Sequence, residues 1–344
     1  MVNPIKSYRN TFIILVGILL LIFIVNISLG SVYIPLKQLF LAFINGEVEK
    51  ESWKSILLNY RLPKAITAII VGSGLSISGL LMQTLFRNPL AGPFVLGISS
   101  GASLGVAILI LGTSFFGATA AGYAFSSWGQ AIAASIGAFL VLSAVMLAAI
   151  KVRNTMSILI IGLMFGSLTA SVISVLAYFS SANQLQQYLF WSFGSLGNLS
   201  WNEISSLLVV FLIGITFVIF IIKPLNSLLL GENYAKSMGV NVKLTRNLTL
   251  ISTSILTGVI TAFSGPIAFI GLAVPHLTKL LFSTSNHKIL LPAVAISGAI
   301  IMLICDSIAQ LPTSEYTLPI NAITSLFGAP IIIWLLVRKR KINY

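Results

Sequence analysis

Acidic residues are nearly missing from this chain: 7 Asp and Glu stand against 20 Lys and Arg in 344 residues, and Asp306 is the one aspartate. Charged residues of both signs make up 8%, where a soluble domain carries about a quarter. That scarcity excludes an ordinary water-soluble enzyme. It also excludes a disordered tail, which stays unfolded through high charge and low hydropathy. Two histidines, His276 and His287, and one cysteine, Cys305, supply no metal-ligand set at a usual spacing, and one thiol cannot close an intrachain disulfide. No serine stands in a recognisable histidine and acid constellation. The dipeptide Gly-Lys never occurs, so the chain has no G-x-x-x-x-G-K-[ST] phosphate loop. It reads as a non-catalytic chain with no cofactor of its own, and any ATP that drives it is hydrolysed elsewhere.

What is abundant is apolar: 57% of residues, with a mean hydropathy of +1.02. Crossing a bilayer takes about 20 apolar residues per helix, so ten spans would use about 200. The first run, Thr11 to Gly30, is too long for a leader's apolar core and reads as a membrane helix. Residues 31 to 60 mix charges with apolar groups and read as an extracytoplasmic segment, with a short amphipathic helix near Pro35 to Phe43. Further spans are expected near 64–84, 94–113, 129–150, 157–179 and 204–222, then 248–264, 267–282, 289–309 and 319–337. The eighth is the weakest, because it contains Pro266 and Pro275. The expected fold is all-α, a polytopic membrane protein of about ten transmembrane helices forming one domain over residues 1–344.

Ten spans put both termini on one side. Lys6, Arg9, Arg87, Lys151, Arg153, Lys223, Lys236, Lys243, Arg246, Lys279, Lys288, Arg338, Lys339, Arg340 and Lys341 then share that side, 15 of the 20 basic residues. Only Lys37, Lys50, Lys54, Arg61 and Lys64 fall opposite. The excess of cations marks the termini as cytoplasmic. This placement in short loops, without aromatic interleaving, also argues against nucleic acid as the partner of a net charge of +13. The bilayer is the partner instead.

The longest cytoplasmic connection, KPLNSLLLGENYAKSMGVNVKLTR from Lys223 to Arg246, reads as two short helices broken at Gly231 and Gly239. With it belong NYRLPKAITAIIVGSGLSISGLLMQTLFRNPLAGPFVLGISSGASLG, FWSFGSLGNLSW, IAFIGLAVPHLTKLLFSTSNHKILLP and LPINAITSLFGAPIIIWLL. In this order and spacing the blocks resemble the FecCD-type permeases, membrane subunits of ATP-driven importers for iron siderophores, haem and cobalamin.

The resemblance implies ten helices per subunit, a second permease subunit in a homodimer or a pair of related subunits, two ATPase subunits and an extracytoplasmic substrate-binding protein. It implies that Gly231, Glu232, Ala235 and Gly239 belong to a loop that couples to the ATPase. Arg61 and Lys64, in R-L-P-K where the family has R-L-P-R, correspond to cations that dock the binding protein. A further family arginine is replaced by Gln310. Met164, Ser167 and Ser171 are expected beside the translocation path. The chain departs from the family pattern at Thr317 to Asn321, where E-L-P-V-G is common, and at Asn286, where an aspartate is common. Glu315 is a candidate substitute for the missing glutamate. Asp306 leaves two readings open: a structural carboxylate near a helix end, or the proton-binding group of an ion-driven carrier. His276 is expected to bond backbone carbonyls beside Pro275.

Overall fold

The computed structural model describes residues 8–30, 32, 34–44, 49–113, 126–152, 155–197, 199–311 and 316–338. Lys6, Glu47, Arg153, Glu315 and Lys339 to Lys341 lie outside the described residues. Those described form helices and connections, with no strand among them. Helix α1 is Arg9–Ser28, and α2 is the short amphipathic helix Leu36–Phe43. Helix α3, Glu51–Ile56, continues through a π turn, Leu57–Arg61, into α4, Leu62–Phe86. Then come α5, Ile98–Leu111; α6, Ser127–Lys151; and α7, Thr155–Tyr178. Helix α8 is Ala182–Ser192, α9 is Trp201–Leu229 and α10 is Glu232–Ser237. The chain closes with α11, Val242–Ser264; α12, Ile270–Phe282; α13, His287–Ala309; and α14, Ile320–Arg338.

Among the described residues, 7 helices are long and apolar enough to cross a membrane. Three shorter apolar helices begin at Ile98, Ile270 and Ile320. These ten fall at the ten positions expected from the sequence.

Two spans are broken where continuous helices were expected. A 3-10 turn, Pro93–Leu96, precedes Gly97, whose φ of 71° stops it before α5 starts. Ahead of α12 the chain is not helical from Gly265, at φ 71°, and Phe269 is left-handed at φ 67°. Pro266 therefore sits in unwound backbone, and only Pro275 lies inside a helix. Such breaks survive at membrane depth because neighbouring helices satisfy the freed groups. Here Ser195 donates its N–H to the Ser264 carbonyl at 2.9 Å, and the Ala268 N–H donates to Asn321 Oδ1 at 3.0 Å.

The polar loop is also smaller than expected. Helix α9 runs on past Pro224 because Ile221, Leu225 and Leu228 continue its buried stripe. Helix α11 already begins at Val242, N-capped by Asn241, whose Oδ1 accepts from the Leu244 N–H at 2.9 Å. One separate helix, α10, replaces the two anticipated. Its ends do match, at Gly231 with φ 121° and Gly239 with φ 79°. Helix α8 was not anticipated at all. Its Ser181 and Gln184 form a capping box, as do Ser200 and Glu203 ahead of α9.

Helix α4 is the centre of the bundle. In its most apolar stretch 89% of residues are buried, against 22% in α1 and 17% in α7, so α4 is the core and the other two are peripheral. It packs on α13, α11, α12 and α9. Lipid tails are as apolar as leucine, so helices in a bilayer gain mainly by close packing through small residues. A Cβ on Gly72 would strike the Gly298 carbonyl of α13, and a Cβ on Gly79 would strike the Gly271 carbonyl of α12. Cys305 is buried on α13. At the far end of α1, Tyr8 and Phe12 pack on Phe282 at centroid distances of 5.4 and 5.0 Å.

Gly79→Ala should therefore destabilise the detergent-solubilised chain by about 3 kcal/mol, since backbone must move to admit the methyl. Gly17→Ala, on the exposed face of α1 with nothing within 4 Å, should stay within about 0.5 kcal/mol. Parallel thermal unfolding of the two variants checks this, and equal melting temperatures would refute the close-contact account.

Candidate functional site

The two ends of α4 carry the two clusters of interest. At its first end a cavity of about 740 Å³ is lined by Tyr60, Arg61, Lys64, Phe193, Asp306 and Gln310, with the start of α14 on its rim. The three residues expected to dock a partner thus come together, but neither cation simply projects outward. Arg61 ends the π turn and is buried. Its Nη1 donates to the carbonyls of Ile27 and Ser28 at 2.9 and 2.8 Å, and its Nη2 donates to the carbonyl of Val32. The guanidinium fork suits this task, because its donors can serve several acceptors at once. It ties the start of α4 to the chain leaving α1.

Lys64 lies three residues on. Its Nζ is 3.0 Å from Asp306 Oδ1, with side-chain exposures of 21% and 2%, so the lysine is the more accessible of the two groups on the cavity wall. Asp306 Oδ2 accepts from Asn26 Nδ2 at 2.9 Å and from Gln310 Nε2 at 2.7 Å. Asn26 also donates to Ser307 Oγ at 2.9 Å. One carboxylate therefore joins α1, α4 and α13. Desolvating an ion pair is expensive unless hydrogen bonds occupy its remaining valences, and two amides do that here. This matches the structural reading of Asp306. Gln310, which stands where the family has an arginine, donates to Asp306 from one turn away.

At the second end of α4, Arg87 takes a left-handed conformation at φ 47° and closes the helix. Its Nη2 donates to the Leu228 carbonyl at 2.8 Å, fastening α4 to the end of α9 just before Gly231. Beside it, His287 Nδ1 lies 2.7 Å from Asn226 Oδ1, and His287 Nε2 lies 2.9 Å from Thr84 Oγ1. Asn286 Oδ1 accepts from Asn226 Nδ2 and from the Lys288 N–H, both at 3.0 Å. An amide thus holds the position where the resemblance anticipates an aspartate, and caps α13 while joining it to α9.

The six residues of α10 stand out from this platform. Glu232, Asn233, Tyr234, Lys236 and Met238 are exposed, whereas Ala235 is fully buried. Ala235, expected within the coupling loop, is the seat on which α10 rests, which is why a small side chain stands there. Tyr234 and Met238, one turn apart and 53% and 58% exposed, were not singled out from the sequence. Their signal was present, since large apolar groups in a polar loop have no lipid to cover them. A cavity of about 610 Å³ runs between Tyr234, Glu232 and the end of α4.

The residues expected beside the path lie on one exposed face of α7. Met164 is 59% exposed, and Ser167 and Ser171 share its side. Their hydroxyls donate back to the carbonyls of Leu163 and Ser167 at 3.3 and 3.0 Å, so this polar face is satisfied within its own helix. They are remote in sequence from both end clusters and are not joined to them by any hydrogen bond among the described residues. His276 does bond a backbone carbonyl, that of Pro89 at 2.8 Å in the loop after α4.

A bundle of apolar helices thus carries a cation-lined cavity at one end and a short helix between two glycine turns at the other. The model of the FecCD transport family matches residues 18–338, and the chain belongs to that family. It is 33% identical over 324 residues to the vitamin B12 import system permease protein BtuC of Klebsiella pneumoniae, covering 94% of this chain and 92% of that one. With the protein of the same name from Salmonella typhi it shares 34% over 282 residues, 82% and 83% of the two chains. A solved structure of an inward-facing conformation, assigned to the metal-chelate type of ABC transporter, superposes with a TM-score of 0.83 at 28% identity. That match covers 96% of this chain and 100% of the other. PsaBC from Streptococcus pneumoniae, at 15% identity and a TM-score of 0.53, shares the fold only. Membership, with seven long apolar helices, makes this a multi-pass protein of a bacterial inner membrane.

Removing the Arg61 fork leaves three backbone carbonyls, two of them buried, short of a donor. Arg61→Ala should cost about 3 kcal/mol, and Arg61→Lys should restore only part of it, because one ammonium cannot reproduce the fork. Thermal unfolding of the purified permease measures both. A stable Arg61→Ala variant would show that Arg61 does not hold the α1 to α2 connection.

Proposed function

We propose that this chain is the permease of a binding-protein-dependent ABC importer that carries a ferric siderophore or related metal chelate inward. Two copies form the path, two separate ATPase subunits engage α10 from the cytoplasm, and both termini lie on that side. This chain hydrolyses nothing. An extracytoplasmic binding protein delivers the chelate at the Arg61, Lys64 and Gln310 end. The exposed face of α7, with Met164, Ser167 and Ser171, borders the path.

The observation that carries this reading is α10. A six-residue helix sits on a buried alanine and offers Glu232, Tyr234 and Met238 at one end of an otherwise apolar bundle. A solvated loop has no need of such a seat or of exposed apolar groups, whereas a groove on a soluble motor subunit would cover them. The distribution of cations supports the orientation by the positive-inside rule. The engagement of Asp306 by a lysine and two amides supports a structural carboxylate over an ion-coupling one. Family membership and the vitamin B12 relatives support a metal chelate as the cargo, since cobalamin is itself one.

Proteoliposomes containing the permease and its ATPase, supplied with chelate-loaded binding protein, provide the test. Uptake should require ATP on the ATPase side. Tyr234→Ala and Glu232→Ala should each lower it by about tenfold while the permease itself inserts and melts as before, as loss of an interface anchor does. Uptake that ignores ATP and follows a proton gradient would overturn the proposal.

A further inference from the structure

Arg61 and Lys64 stand one turn apart on the same cavity wall, yet their surroundings give them unlike freedom. Arg61 is committed to three backbone carbonyls, and turning it outward would strand them all. Lys64 has one ionic partner, Asp306 Oδ1 at 3.0 Å, and its side chain is already 21% exposed to a cavity of about 740 Å³. Its departure would not leave a bare buried charge. Asp306 is held at its other oxygen by Asn26 and Gln310, at 2.9 and 2.7 Å, so two donors stay with the carboxylate when the ammonium leaves.

We propose that Lys64 is an exchangeable latch: an acidic side chain on the docking binding protein takes it from Asp306, while Arg61 stays in place as a fixed part of the wall. This rests on the docking reading given above. No bond is made or broken covalently; one ion pair replaces another, so the net change in free energy is small and the partner's charge sets its direction. The consequence is mechanical. Lys64 and Asp306 join α4 to α13 at this end, and drawing the lysine across the cavity uncouples them while Asn26 still tethers Asp306 to α1. Docking and loosening of these helices become a single event.

The experiment measures binding-protein affinity for the permease and ATPase complex in nanodiscs at low salt. If the unmodified complex does not bind the protein, the docking reading itself fails and the latch with it. If it binds, Lys64→Gln should weaken affinity about fivefold and Asp306→Asn, which frees the lysine, should tighten it about as much. The double variant should bind no better than Lys64→Gln. Unchanged or weaker binding by an assembled Asp306→Asn complex, with normal binding by the parent, would overturn the latch alone. Should that variant not assemble, Asn26→Ala replaces it. Asn26 is buried beyond a partner's reach, and its loss makes Asp306 hold Lys64 harder. Affinity should fall with Lys64 present and not further in the Lys64→Gln background; an equal fall in both would refute exchange.

Discussion

Backbone contact at glycine is the constraint on which the rest of this bundle depends. Inside hydrocarbon no apolar surface is gained by bringing two leucine-coated helices together, so α4 is held by proximity itself, at Gly72 against Gly298 and Gly79 against Gly271. That close approach fixes where its two ends emerge. Arg61 and Lys64 are presented at one end and Arg87 at the other, and each end recruits α13 or α9 through a polar contact. One helix of 25 residues, about 37 Å long, therefore spans both regions where a partner would engage. Helix α12, which packs on it, starts only after the left-handed Phe269, whereas α4 runs unbroken for 25 residues and is also the most buried of the long helices.

Much of the fold could be read from the amino acids because hydrocarbon imposes a simple rule, that apolar runs must be long. The runs beginning near Thr11, Lys64, Gly129, Ser157 and Ile289 correspond to α1, α4, α6, α7 and α13 with ends shifted by a few residues. The rule fails where polarity is local. The segment 182–192 is too polar to be read as a membrane span, and its helix is announced only by Ser181 and Gln184 at capping-box spacing. Beyond Lys223 the residues look like a loop, but the i, i+4 and i+7 positions Ile221, Leu225 and Leu228 keep α9 buried. Direction was harder still. Nothing in R-L-P-K says that the arginine turns inward to carbonyls 29 to 34 residues away in sequence, or that the lysine meets the only aspartate. Such pairings are made by tertiary packing and leave no local pattern.

The places where this chain departs from the pattern it resembles share a chemical direction. Gln310, Asn286 and Asn321 all act through side-chain amides, donating to Asp306, accepting from Asn226, and accepting from the Ala268 N–H of the unwound segment. An amide can do each of these jobs without a charge to desolvate, which suits positions packed between helices. The salt bridge seen among the described residues is that of Lys64 and Asp306.

Cys305 has a use that has nothing to do with its place in the bundle. It is the only thiol in 344 residues, and at 3% exposed it is shut off from reagents by the packing of α13. Thiol chemistry needs both access and a thiolate, and this site denies the first. The unaltered chain is thus already a silent background for site-directed labelling. A spin label or fluorophore attached to a single introduced cysteine on α10 or the rim of α14 would report on that position alone, and distances between two copies of the chain could be followed without first engineering the native sequence.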